Sequence, residues 1–347
     1  MINTPKYKSK GNSRLKKLYK AISGTKRPLI LIYGNPDPDA LASAWAMKEL
    51  LHVADVTASI RYTGEVGRLE NEAMIHSLRI PALSLEKNNL HDADLIILVD
   101  CQPEFFKDIQ LPRCDIIIDH HPRKSHREYP YVDIRPYCLA SSSILTQYIQ
   151  ANQIQINKRL ATALYYGIQT DSRNSQRRPT SIDLDAIHFL EKKIDRNLLR
   201  RIEISSYSLS FLDYFSIALI KLRYSNNVLY SHMGPVLSSD VCVQIADFLI
   251  RVKEAKWTIV SGVAGKKLIV VFRCDGNKKH AGKTAQAAFG IFGSAGGHRT
   301  MARAEIDENE LPLAITLTQN ERLERFILEA LSKVERGFKS LFRSLEN

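Results

Sequence analysis

The chain has 347 residues, 44% of them hydrophobic and 25% charged, which suits a folded protein larger than one hydrophobic core usually supports. It holds no apolar run long enough to span a bilayer and no signal-peptide pattern at its start. Its five cysteines (Cys101, Cys114, Cys138, Cys242 and Cys274) are dispersed without a CxxC pair, which argues against a disulfide framework or a thiolate zinc site and fits a reducing cytoplasm.

The formal charge is +12, but nine Lys/Arg and no acid lie in residues 1–36, so the other 311 residues carry only +3. Long duplex DNA is therefore not an expected partner. In the basic arm, residues 1–27, Leu15, Leu18, Tyr19 and Ile22 recur at helical spacing among Arg14, Lys16, Lys17 and Lys20. A short helix docked on the body is expected, with a polyanion-gripping arm as the alternative.

Short apolar strands then alternate with helices. Pro28–Tyr33 reads as a strand, Ala40–Leu51 as a buried helix, Val56–Tyr62 as a strand and Glu70–Leu78 as a helix. Asp94–Val99 and Asp115–Ile118 are two more strands. Ser141–Gln150, Lys158–Ile168 and Ile182–Lys192 are the helices closing this part. The pattern predicts an α/β domain over 28–200 with a parallel sheet covered on both faces.

Residues 201–227 read as a helical connector whose Leu209, Leu212, Phe215, Ile217, Leu219 and Leu222 are mostly core. A smaller mixed α+β domain is expected over 228–318: a helix at Asp240–Lys253, strands at Thr258–Val263 and Leu268–Arg273, and a glycine-rich turn around Gly290–Gly297. From 319 the chain reads as an amphipathic helix. Leu323, Phe326, Ile327, Ala330, Leu331, Val334, Phe338, Leu341, Phe342 and Leu345 form its stripe, packed on its own body or on a second copy in a homodimer.

The chemistry concentrates at predicted strand ends. Asp37 and Asp39 follow the first strand in a proline-framed loop, and Asp100 ends another strand. Asp119-His120-His121 ends a third, and Asp171 follows the helix ending at Ile168. Ligands of open parallel sheets collect at the carboxyl ends of strands. Carboxylates with one or two imidazoles suit Mn²⁺ or Mg²⁺ rather than a thiolate-seeking metal. Singly, each residue has a milder reading as a helix cap or a strand-end solvating group.

Four segments, NPDPDALASA (35–44), LVD (98–100), DHHP (119–122) and GIQTDS (167–172), resemble in order and spacing the motifs of the DHH phosphoesterases. That superfamily spans RecJ-type exonucleases, nano-RNA and cyclic-dinucleotide phosphodiesterases and type II pyrophosphatases. Phe272-Arg273 and GSAGGHRTMARAEI (293–306) resemble its DHH-associated domain, and the likeness covers residues 28–310.

The resemblance implies one or two Mn²⁺ ions (or Mg²⁺), one on Asp37 and Asp100, the other on Asp39, Asp100, His120 and Asp171. Asp119 and His121 would orient ligands and touch the substrate phosphate. Across a two-domain cleft, Arg273, Ser294, Gly296, Gly297, His298 and Arg299 would receive a phosphate or terminal nucleotide. The implied activity is hydrolysis of phosphodiester bonds in short single-stranded oligonucleotides or small nucleotides by a metal-activated water, in the cytoplasm and with no membrane role. A pyrophosphatase or polyphosphatase is the alternative. So is a non-catalytic nucleotide binder, because Tyr33 stands where the family carries a histidine four residues before its first aspartate.

Minor candidates are Arg68 and Asn71, at a stretch resembling a family segment or at a plain helix start, and Ser141–Ser143, as N-caps or as a phosphate-binding helix start.

Overall fold

The structure, a computed structural model, describes residues 13–343 apart from 108, 175–177, 205–206, 278 and 314. The first twelve residues of the basic arm and Leu345 of the C-terminal stripe lie outside the described residues. The chain divides into two compact units, Met1–Ser206 and Tyr207–Asn347.

The first unit begins with α1 (Ser13–Ala21), whose Leu15 and Leu18 are buried together with Ile22, while Lys16, Lys17 and Lys20 stay exposed. This helix is thus docked, as its spacing suggested. There follow β1 (Pro28–Ile32), α2 (Pro38–His52), β2 (Ser59–Tyr62), α3 (Leu69–Leu78), β3 (Ala82–Ser84), α4 (Lys87–Asp92), β4 (Leu95–Val99), β5 (Ile116–Asp119) and β6 (Tyr131–Ile134). The helices α5 (Ser141–Ala151), α6 (Lys158–Asn174), α7 (Ser181–Glu191) and α8 (Arg196–Ile204) complete it.

All six strands pair in parallel in the order β3-β2-β1-β4-β5-β6. Alternate residues feed two separate cores. Ile30, Ile97 and Ile118 pack with α2, α5 and α6, while Leu31, Leu98 and Ile117 pack with Leu90 and Phe106. Burial on both faces explains why these strands read as unbroken apolar runs. The strand order reverses between β1 and β4, so a crevice at their carboxyl ends follows from topology alone.

The second unit comprises α9 (Leu209–Ile220), β7 (Arg223–Ser225), β8 (Val228–Pro235), α10 (Ser239–Leu249), β9 (Trp257–Ala264), β10 (Lys267–Cys274), α11 (Ala281–Phe289), β11 (Ser294–Gly297), β12 (Met301–Asp307), α12 (Asn320–Val334) and α13 (Lys339–Arg343). Its sheet runs β11-β12-β10-β9-β8-β7, antiparallel except for the β8–β9 pair, which α10 crosses over. Val270 and Phe272 face α11 and α12, whereas Ile269 and Val271 face α10.

Three expectations change. The connector is not a unit of its own: α9 packs on the second unit through Phe211 and Ala218, and Leu209 and Leu212 are exposed rather than core, Leu209 at 85%. A helix apolar all round needs only one face to pack. The glycine-rich turn holds over Gly290–Gly293 but gives way to strand, β11 pairing with β12 from Ser294↔Glu305 to Gly297↔Ala302. The C-terminal stripe is broken after Val334 by a turn carrying Gly337, a poor helix former. Its Leu323, Phe326, Ile327, Leu331, Phe338 and Leu341 are buried in the second unit's own core, so a homodimer through this helix would have to use its other side.

Candidate metal centre

The acidic loop between β1 and α2 separates its two aspartates. Asp37 caps α2, its Oδ1 accepting from Ala40 N at 2.9 Å, with proline opening the helix behind it. Asp39, one residue into the helix, is fully buried. Its carboxylate crosses to the start of α5, where Ser141 N donates to Oδ2 (2.7 Å) and Ser142 N to Oδ1 (2.8 Å). The exposed N–H groups of a helix start favour an anion, and here a carboxylate from another helix supplies it. Ser141–Ser143 therefore neither cap α5 nor leave its start open to phosphate: the N-cap is Ala140, and Ser141 Oγ donates to Asp100 Oδ1 at 3.0 Å.

Asp100 ends β4 in the left-handed region, φ 57°, with its N–H donating to Ile118 O. Such a backbone is uncommon outside glycine and turns the carboxylate back over the strand ends. His120 Nε2 lies 3.4 Å from Asp100 Oδ1 and 3.2 Å from Asp171 Oδ2. Two sets of potential ligand atoms, Asp39–His120–Asp171 and Asp100–His120–His121, each fall within 4.8 Å of one another. The second set brings in His121, which the resemblance placed outside the ligands.

Asp119 is fully buried and orients His121 through Nδ1 at 2.8 Å. Its other oxygen accepts from Gln102 Nε2 at 2.6 Å. Gln102 escaped the reading of the sequence, although it lies two residues past Asp100. Its amide also donates to Pro122 O and accepts from Lys124 N, and its carbonyl accepts from Phe105 N. One buried side chain thus ties Asp119 to the loop bearing exposed Arg123, Lys124, His126 and Arg127.

Asp171 does not follow a helix but lies within α6, which continues to Asn174. Gly167 does not stop that helix; it lets it approach. A Cβ there would sit 2.8 Å from Ser142 Oγ, 3.0 Å from Asp39 Cα and 3.1 Å from Pro38 O. This contact sets α6 against the start of α2, and Asp171 projects one turn further on.

The electrostatics call for a cation. Among the described residues no lysine or arginine pairs with Asp37, Asp39, Asp100 or Asp119. Burial, then repulsion from Asp39, Asp37, Asp119 and Asp171, pushes the Asp100 carboxyl well above the usual range. Burial also pushes Asp119 up, but its bonds to His121 and Gln102 outweigh that and hold it low. Burial pulls His121 down, and Asp119 more than restores it. Hard oxygen donors converging with two imidazoles fit a divalent ion of the Mn²⁺ or Mg²⁺ type.

Tyr33 lies past the end of β1, 38% exposed. Asn71 is buried and donates to Pro36 O, which fastens α3 to the acidic loop, while Arg68 pairs with Glu70.

In the second unit, Ser294, Gly297, His298 and Arg299 are exposed along β11 and its turn into β12, with Gly296 partly covered. Gly282 is a glycine because a Cβ there would collide with the Gly297 carbonyl, and its N–H donates to His298 O. Gly282 thus serves the packing of α11 on the hairpin, whereas a Cβ on Gly297 would meet Met301 O and Ala302 of β12 and one on Gly296 would meet open space. Arg273 is already engaged: Nε donates to Asp247 Oδ1 at 2.6 Å and Nη1 to Phe272 O.

Residues 29–168 match the model of the DHH family, N-terminal domain. The chain is 35% identical over 325 residues to an uncharacterized protein of Methanocaldococcus jannaschii, covering 92% of this chain and 66% of that one. It is 30% identical over 154 residues to a probable bifunctional oligoribonuclease and PAP phosphatase of Streptococcus mutans, covering 40% and 43% of the two. The chain thus spans less than two thirds of either relative. The fold is similar to that of an exopolyphosphatase-related protein from Bacteroides fragilis, with a TM-score of 0.72 at 16% identity over 94% of this chain and 97% of that one. No helix among the described residues is long and apolar enough to cross a membrane. With the Asp100, Asp119 and His120 positions at the ends of a parallel sheet, residues 29–168 are those of a DHH family N-terminal domain.

Proposed function

We propose that the first unit is a metal-dependent phosphoesterase that hydrolyses phosphodiester bonds of short single-stranded oligonucleotides or small nucleotides, with Mn²⁺ preferred. The observation that carries this reading is the convergence of two sets of potential ligands sharing His120, Asp39–His120–Asp171 and Asp100–His120–His121, at the switch point of the sheet, where among the described residues no lysine or arginine pairs with Asp39 or Asp100. Divalent ions in such a centre lower the pKa of a bound water and neutralise phosphoryl oxygens.

The chain's own groups divide the remaining work. Asp39, Asp100, His120 and Asp171 would hold the cation, Asp100 lying within 3.4 Å of His120 and 3.8 Å of His121. Asp37 caps its helix with Oδ1 and keeps Oδ2 for a further ion. Asp119 fixes the ring of His121, which keeps Nε2 for a phosphoryl oxygen. The loop with Arg123, Lys124 and Arg127 offers positive charge to a polyanion. In the second unit, His298 and Arg299 are the groups proposed to receive a phosphate, Arg273 being held by Asp247.

A non-catalytic binder is the second reading, favoured by Tyr33, since a phenol is a poorer ligand for such an ion than the imidazole of the family pattern. The protein with Mn²⁺ is tested against di- to decanucleotides, cyclic dinucleotides, inorganic pyrophosphate and polyphosphate, alongside Asp100→Ala. The expected result is cleavage of short nucleotides by the wild type, and a folded variant with weakened Mn²⁺ binding and no turnover. Wild-type turnover in the variant sinks the assigned centre. Mn²⁺ binding without hydrolysis of any substrate favours the binder.

A further inference from the structure

The ring that replaces the family histidine does not stand alone. Tyr33 meets Phe106 edge to face, with centroids 4.9 Å apart and planes at 63°, and lies 6.1 Å from Phe105. Phe105 in turn meets His121 edge on at 5.9 Å. An aromatic row thus runs from Tyr33 to the imidazole that flanks the candidate ligands. Phe106 is its buried footing, 7% exposed, whereas Tyr33 is 38% exposed and its hydroxyl makes no hydrogen bond among the described residues. Neither core packing nor a polar anchor accounts for an exposed phenol there.

The row is also rigidly placed. Phe105 closes a short 3-10 turn that starts at Gln102, and Gln102 is the buried side chain that holds Asp119. The wall is therefore fixed through one residue relative to Asp119, which orients His121.

We propose that Tyr33 and Phe105 form a stacking wall for the nucleobase next to the phosphate being cleaved, so that the centre selects a nucleotide over a base-free pyrophosphate or polyphosphate. The chemistry follows from the surface: exposed Tyr33 and half-buried Phe105 offer ring faces that recognise a base without regard to its identity, and a bare phosphate chain gains nothing from them. A site for inorganic phosphates would be expected to turn cations, not rings, to this side. The inference rests on the phosphoesterase reading but is tested apart from it.

The probe is a dinucleotide carrying 2-aminopurine, whose fluorescence is quenched on stacking, titrated in EDTA so that no metal enters the readout. A second measurement compares kcat/KM for a dinucleotide with that for inorganic triphosphate in Mn²⁺. Tyr33→Leu and Phe105→Leu, which keep bulk but remove the ring, should lose the quench and bind the probe about tenfold more weakly, since stacking of one base is worth roughly that factor or more. Their preference for the dinucleotide over triphosphate should fall by a similar factor, while Tyr33→Phe keeps the quench. A wild type that does not bind the probe, or leucine variants that bind and quench it as the wild type does, overturns the proposal. Hydrolysis of dinucleotide with no effect of the leucine variants sinks the wall and leaves the phosphoesterase reading standing. Ring-dependent quenching in a protein that hydrolyses nothing sustains the wall and sinks that reading.

Discussion

Replacing Gly167 by alanine adds one methyl group at the place where α6 meets the start of α2, and its effect can be worked from the contacts. The new Cβ would lie 2.8 Å from Ser142 Oγ, 3.0 Å from Asp39 Cα and 3.1 Å from Pro38 O. Ser142 Oγ can rotate, at the expense of its contact with Ser43 Oγ, but the other two are backbone and cannot. Overpacking of this kind costs about 1–3 kcal/mol. Alanine returns about 1 kcal/mol through its better helix propensity, leaving a net loss of roughly 0–2 kcal/mol. The larger effect is expected on the metal. Asp171 sits one turn beyond Gly167 on the same helix, so moving α6 outward by a few tenths of an ångström lengthens the 3.2 Å approach of its Oδ2 to His120 Nε2. Disturbing groups that position metal ligands typically costs about 10–100-fold in affinity. Urea denaturation without metal and calorimetric titration with Mn²⁺ separate the two effects, and the expected outcome is a small stability loss with about tenfold weaker Mn²⁺ binding. An alanine variant as stable as the wild type or more so, with unchanged Mn²⁺ affinity, refutes the reasoning.

Tyr33→His restores the imidazole of the family pattern and should tighten binding of a second Mn²⁺ and speed hydrolysis; calorimetry giving two equally tight sites in the wild type, with no gain in the variant, counts against this. His298→Ala should raise KM for nucleotides about tenfold or more, the worth of a charge-assisted phosphate contact, with metal stoichiometry unchanged; an unaltered KM removes His298 from substrate binding. His232, buried in the second unit, is pulled down to about 4 by burial and by Lys221. Its depressed value means the unfolded chain takes up the proton first, so stability present above pH 6.5 is lost as the pH falls toward 4, by up to about 3 kcal/mol. Urea midpoints measured from pH 7 to 4 should fall less steeply in His232→Gln than in the wild type, and parallel slopes would contradict the assignment.

The first unit was legible because its strands are short, apolar and bounded by polar turns, and because aspartates end them. What escaped was carried by residues whose role depends on partners far along the chain. Gln102 looks like an ordinary polar residue beside a strand, and only the fold brings Asp119, Lys124 N and Pro122 O around it. Ser141 and Ser142 looked like caps because the sequence cannot disclose that Asp39, a hundred residues earlier, occupies the helix start they open. In the second unit, β8 was hidden by Ser231 and His232 inside its run. β12 alternates inward Ala302, Ala304 and Ile306 with polar residues, a pattern too weakly hydrophobic to stand out. The glycines of 293–297 suggested a turn because glycine is rare in strands, yet here Gly293 and Gly297 lie where a Cβ would collide with β12.

How such a group of carboxylates folds follows from the same contacts. Each buried aspartate is given a different compensation. Asp39 takes two N–H groups and the positive end of α5; Asp119 takes Gln102 and His121; Asp100 has one serine hydroxyl and two imidazoles at longer range. Asp100 is therefore the least satisfied, which is why burial and its acidic neighbours raise its carboxyl well above the usual range. A carboxyl raised by folding binds its proton more tightly in the native state, so without metal it lowers stability as the pH climbs past its ordinary value near 4. A divalent cation bound there would relieve that cost by replacing the proton, and would do so best at the residue where the other compensation is weakest. The strained backbone of Asp100 and its poor hydrogen bonding are then two aspects of one arrangement: the fold keeps this carboxylate short of partners and holds it where a cation can supply them.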